Sequence, residues 1–174
     1  MKRPTPFLLA LTLFGAPLPA QPPEDVVKAD FLPKFARYVT WPEAAQPAAG
    51  QPFQLCMIGR DPFGPPLDRA AAGEAIDGHG VAVRRMESAA GAQGCHMAFV
   101  QGADPAETGR LLNAVRTMPV LTVTDGSGPQ RGMIHFTMVG GRVRFFIDQA
   151  SALQRGLTIS SRLLALAAGV RQRR

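Results

Sequence analysis

Three short apolar runs constrain this chain most: Phe53–Gly59 (FQLCMIG), residues 95–100 (CHMAFV) and residues 120–124 (VLTVT). Each has the length of a strand and is bounded by turn residues. None carries an Asp, Glu, Lys or Arg, so each reads as a strand covered on both faces, as in a parallel sheet between helical layers. Between them lie a turn-rich stretch, Arg60-Asp61-Pro62-Phe63-Gly64, a modest helix over 66–72, a fourth strand over 80–86 and a helix over 105–116. Strands alternating with helices imply right-handed βαβ units.

The flanks complete the layout. Val27, Phe31, Phe35 and Tyr38/Val39 recur at helical spacing, predicting a helix over 24–40 that Trp41-Pro42 ends and that Pro33 kinks or divides. Residues 43–51, rich in Ala and Pro, read as a loop. Residues 133–139 and 142–147 flank Gly140-Gly141, a hairpin signal. Residues 153–170 read as one helix, or two broken near Gly156. The expected fold is a single α/β domain, a three-layer sandwich with a mainly parallel sheet and an antiparallel edge hairpin.

The N-terminus is read apart. Lys2 and Arg3 precede the apolar stretch 7–14 (FLLALTLF), and small residues at Ala16 and Ala20 precede Gln21-Pro22-Pro23. This is the layout of a secretory signal peptide over 1–20, cleaved near Ala20, which leaves residues 21–174 as the mature domain. Eight apolar residues cannot cross a hydrocarbon core of about 30 Å, so no span is expected. Without Lys2 and Arg3 the chain holds 17 Lys and Arg against 13 Asp and Glu, a net +4. No basic stripe interleaves with aromatics, so no nucleic acid is expected as a partner.

Chemistry finds few candidates. Two cysteines, Cys56 and Cys95, most often pair in an exported protein, and the alternative is two buried thiols. A bridge requires their Cα atoms within about 7 Å, which a doubly wound strand order 2-1-3 would allow. Cys95 and His96, adjacent in a strand, point to opposite faces, so no metal or other cofactor is expected. The turn at Gly59–Gly64 lacks both the G-x-G-x-x-G spacing and a Gly-Lys-Ser/Thr ending. Ser160, Ser161 and Asp125 belong to no G-x-S-x-G elbow, and Thr158 or Ser160 fits better as a helix cap. No catalytic residues emerge. Tyr38 and Trp41, the only Tyr and Trp, suit either packing on the sheet or contact with a partner.

An ordered set of segments resembles the YfiR family of periplasmic proteins. It runs from Lys28-Ala-Asp-Phe-Leu-Pro-Lys-Phe-Ala-Arg-Tyr-Val-Thr-Trp-Pro42 through FQLCMIG and Asp61-Pro-Phe-Gly64 to CHMAFV and Val120-Leu-Thr-Val-Thr-Asp125. It ends with Gly132-Met-Ile-His-Phe136, Gly141-Arg-Val-Arg-Phe145 and Leu157-Thr-Ile-Ser-Ser-Arg-Leu-Leu164. The resemblance implies an α/β domain that represses an inner-membrane diguanylate cyclase of the YfiN type from the periplasm, lowering cyclic-di-GMP and biofilm formation. It also implies that Cys56 and Cys95 match a structural disulfide of that branch, whose second cysteine pair this chain lacks. Phe146 and Asp148 replace an expected Glu and Asn, and Pro33 an aromatic, which points to a different partner specificity.

The resulting expectation is a non-enzymatic periplasmic regulator acting on the periplasmic domain of a membrane diguanylate cyclase. The alternative is a small-molecule-binding sensory module acting on a membrane histidine kinase, with ligands at the carboxyl ends of the strands. Candidate contact residues are Tyr38, Trp41, Asp61, Phe63 and Asp125. A homodimer stays open.

Overall fold

The structure, a computed structural model, describes residues 22–172. The signal-peptide reading of residues 1–20 therefore lies outside the described residues. In chain order the elements are α1 (Glu24–Ala36), β1 (Val39–Thr40), β2 (Phe53–Gly59), α2 (Pro65–Ala72), β3 (Ala75–Ile76), β4 (His79–Met86) and β5 (Met97–Gln101). There follow α3 (Pro105–Val115), β6 (Leu121–Thr124), β7 (Ile134–Val139), β8 (Arg142–Asp148), α4 (Gln149–Leu153), β9 (Thr158–Ile159), α5 (Ser161–Leu166) and β10 (Gly169–Arg171). The fold is α/β, with an eight-stranded mixed sheet in the order β10-β8-β7-β6-β5-β2-β4-β3.

Strands β4, β2, β5, β6 and β7 run parallel, and the β7–β8 hairpin turns at Gly140-Gly141, both with positive φ. The apolar runs are two-faced, in keeping with their lack of charged residues. Leu55, Met57, Met97, Phe99, Leu121 and Val123 enter a large core with Leu32 and Phe35 of α1 and Leu67 of α2. Cys56, Ile58, Ala98 and Val100 point the other way, against Leu111 and Val115 of α3. Asp104 starts α3 by accepting the Glu107 N–H at 2.8 Å, an N-cap one residue before Pro105.

The ends of the chain depart from expectation. Helix α1 runs through Pro33, which is buried within it, and stops at Ala36 instead of residue 40. The missing Pro33 N–H removes one helical bond, but Leu32, Phe35 and Ala36 bury enough apolar surface to hold the turn in place. Val39–Thr40 then pair antiparallel with Thr158–Ile159 in a separate two-stranded sheet. The expected helix over 153–170 is largely absent: α4 begins earlier, β9 and β10 are strands, and only α5 is helical. Gly156, at φ +74°, ends the α4 region, and Ser160 caps α5. Strand β10 lies outside the hairpin, parallel to β8.

Candidate functional site

The carboxyl ends of the parallel strands, where a doubly wound sheet holds ligands, are occupied by the protein's own groups. Asp61 accepts the backbone N–H groups of Phe63 at 2.8 Å and Gly64 at 3.1 Å, and the Arg85 Nε–H at 2.7 Å. Burial alone would raise its pKa, but these donors outweigh burial and hold the carboxyl below the usual range. Arg85 also bridges to Asp68 at 2.9 Å, tying the loop to α2 and β4. Asp125 accepts from Lys28 Nζ at 2.5 Å, and Lys28 also pairs with Glu24 one turn earlier in α1. Burial pushes this ammonium down, yet its two carboxylate partners outweigh burial and leave its pKa above the ordinary lysine value. Lys28 is 3% exposed. No sequence signal marks it, because Asp125 is 97 residues away.

The other predicted contact residues divide. Trp41 is buried, stacked edge-on against Phe53, and donates its indole N–H to the His96 carbonyl at 2.9 Å. Phe63 is buried edge-on against Phe99. Both are core residues, which removes them from a contact surface. Tyr38 is half-buried against the main core, and its carbonyl accepts from the Ser160 N–H. The five candidates therefore do not converge on one surface. Ser160 directs its hydroxyl at the Leu163 N–H, the capping role, and Asp125 is held by Lys28. Among the described residues no group of three or more His, Cys, Asp or Glu is placed to hold a metal ion.

The disulfide joins Cys56 in β2 to Cys95 just before β5, with Cα atoms 5.9 Å apart. The spatial order β4-β2-β5 makes this approach possible. The bond lies in the core beneath α3, remote in the sheet order from β7, β8 and β10. Its contribution is to stability, about 4 kcal/mol for a loop of this length on the chain-entropy account.

The surface left open lies at the other side of the sheet. The crossover from β6 to β7, residues 125–133, is a loop with no helix in it. It packs closely on α3 through a glycine on each side: a Cβ at Gly109 of α3 would meet Gln130 at 3.1 Å, and one at Gly128 of the loop would meet Pro105 at 3.2 Å. With no helix there, the outward face is uncovered over β8 and the end of β7, while His135 at the start of β7 stays buried. The register places His135 opposite Phe146, Thr137 opposite Arg144, Val139 opposite Arg142, and Arg171 opposite Asp148 on that face. Phe145 points inward and is 4% exposed, whereas Phe146 points outward and is 41% exposed. A Cβ at Gly169 would lie 2.8 Å from the Phe146 ring, so glycine lets the ring lie flat across β10.

Here a cleft of about 810 Å3 opens between the 129–132 loop and β10, with Phe146 and His135 as floor and Arg131 and Arg171 at its sides. Burial lowers the His135 pKa and the nearby Arg131 charge adds to this, so its ring is neutral at pH 7 and bonds the Thr124 hydroxyl at 2.9 Å. Asp148 is held below the usual carboxylate range: burial opposes, but Arg171 and Ser151 prevail. An aromatic floor among arginines suits binding of a partner and offers no nucleophile–base pair. Sequence reading missed this surface, although Phe146 was visible as a departure from the family pattern. A family model described as YfiR/HmsC-like matches residues 25–168, from α1 through α5. No curated protein matches the chain.

Proposed function

The chain belongs to the YfiR/HmsC-like family, and on that premise we propose that it is an exported, non-enzymatic regulator of a membrane signalling enzyme. Its partner is the periplasmic portion of a diguanylate cyclase, which it holds inactive, so that cyclic-di-GMP stays low. The supporting observation is the uncovered face of β7, β8 and β10, where Phe146 lies exposed among arginines while the carboxylates at the strand ends are tied up internally. An exposed aromatic ringed by arginine is the composition of an interface hot spot. No helix among the described residues is long and apolar enough to cross a membrane.

Deleting the gene should raise cellular cyclic-di-GMP, and expressing Phe146→Ser in the deletion strain should fail to restore the low level although the protein accumulates normally. Unchanged cyclic-di-GMP after deletion removes the cyclase as partner. Full complementation by Phe146→Ser removes this face as the contact.

A further inference from the structure

Charge is divided unevenly along the chain. Residues 22–125 carry twelve Asp and Glu against nine Lys and Arg. From 126 to 172 the only carboxylate is Asp148, against Arg131, Arg142, Arg144, Arg155, Arg162 and Arg171. Because the late segment builds β7, β8 and β10, the sheet has a basic side. The acidic first turn of α1, Glu24 and Asp25, belongs to the layer on the opposite face.

The basic side has an apolar point. Met138 and Val139, the last residues of β7, are 44% and 53% exposed, and Gly140-Gly141 adds no side chain beyond them. Arg142 faces out beside Val139, and Arg144 follows two residues later on the same face. Consecutive strand residues point to opposite faces, so Met138 and Val139 stand on opposite sides of one hairpin tip. A rigid protein surface touches one side of such a tip. A fluid interfacial layer surrounds both and places phosphates at the height of the arginines.

We propose that the tip of the β7–β8 hairpin docks on an anionic phospholipid surface, with Met138 and Val139 entering the headgroup region and Arg142 and Arg144 meeting lipid phosphates. At about 3.3 Å per residue, the five steps from Gly141 to Phe146 separate the tip from that ring by roughly 16 Å. Docking would thus hold the cleft just clear of the headgroups. The inference does not rest on the identity of the protein partner, since lipid binding is measured without one.

The test is flotation of the purified mature chain with vesicles of phosphatidylethanolamine and phosphatidylglycerol (7:3), or of phosphatidylcholine alone, at low and high NaCl. Binding is expected on the anionic vesicles only and should be lost at 0.5 M NaCl. Each arginine near an anionic surface adds about fivefold in partitioning, so Arg142→Gln with Arg144→Gln should weaken binding roughly 25-fold. Met138→Ser with Val139→Ser should weaken it about tenfold, and all variants should melt within a few degrees of the parent. Arg69→Gln with Arg110→Gln makes the same charge change on α2 and α3 and should keep most of the binding. Failure to float with anionic vesicles overturns the proposal, as does equal loss in both arginine pairs. A chain that ignores vesicles but binds soluble polyglutamate through Arg142 and Arg144 would assign the tip to an acidic protein instead.

Discussion

Across β2, β5 and β6 the sheet is covered on both faces and tied by the Cys56–Cys95 bond, whereas across β7, β8 and β10 it is covered on one face. The first region follows the rule for parallel strands, whose unbroken apolar runs need cover on each side. The second alternates, with Phe145 and Ile147 inward and Arg144 and Phe146 outward. Residues on the first side are answerable to packing from two directions. On the second, outward residues such as Arg142, Arg144 and Phe146 are largely free of that duty.

The sharpest way to break this comparison uses adjacent residues. Phe145→Ala empties a site lined by Phe31 and Phe35 and should cost about 3–5 kcal/mol in a urea melt. Removing the disulfide by Cys56→Ala with Cys95→Ala should cost about 2–5 kcal/mol and lower abundance in the cell through proteolysis of the unfolded fraction. Because neither cysteine is near the open face, partner affinity of the surviving folded protein should not change.

Lys28→Met strips the buried ammonium from Asp125 and Glu24, which are partly solvated, and should cost about 1–3 kcal/mol. The histidines give a smaller, pH-dependent effect. Burial lowers the pKa of both His96 and His135 in the folded chain. The unfolded chain therefore binds more protons just below pH 6.5, and stability that is complete above that value falls as the pH drops through it. The urea midpoint should be lower at pH 5.5 than at pH 7.5, while Asp61 and Asp148, whose pKa values are depressed, keep their contribution at both. Phe146→Ser, at a ring 41% exposed and resting on Gly169, should cost only about 1 kcal/mol. A loss matching that of Phe145→Ala would mean that the outward face is covered, and the distinction between the two regions would fall.

The same contrast explains what was legible in the sequence. The runs that became β2, β5 and β6 announce themselves because burial on both faces leaves no Asp, Glu, Lys or Arg in them, and Gly140-Gly141 marks its hairpin by turn geometry alone. The stretch 153–170 misleads because its Leu and Ala content has helical propensity, while its conformation is set from outside. Thr158–Ile159 pair with Val39–Thr40, and Gly169–Arg171 with β8. The candidate contact residues lie apart for a related reason. Trp41 and Phe63 look like contact residues until their partners Phe53, His96 and Phe99 are brought to them, and Lys28 looks solvated until Asp125 arrives. The open face depends on a helix missing from the β6–β7 crossover, and absence of a cover leaves no local pattern.

That crossover loop also bears on how such a domain can change over generations. Positions 142, 144 and 146 alternate outward from a strand whose other side anchors it. A substitution at any of them would change the outward surface more than it changes the folded fraction. A duplicated copy of this gene could therefore acquire a new target by single steps, each yielding a protein that still folds. The disulfide-tied region would pass through those steps untouched.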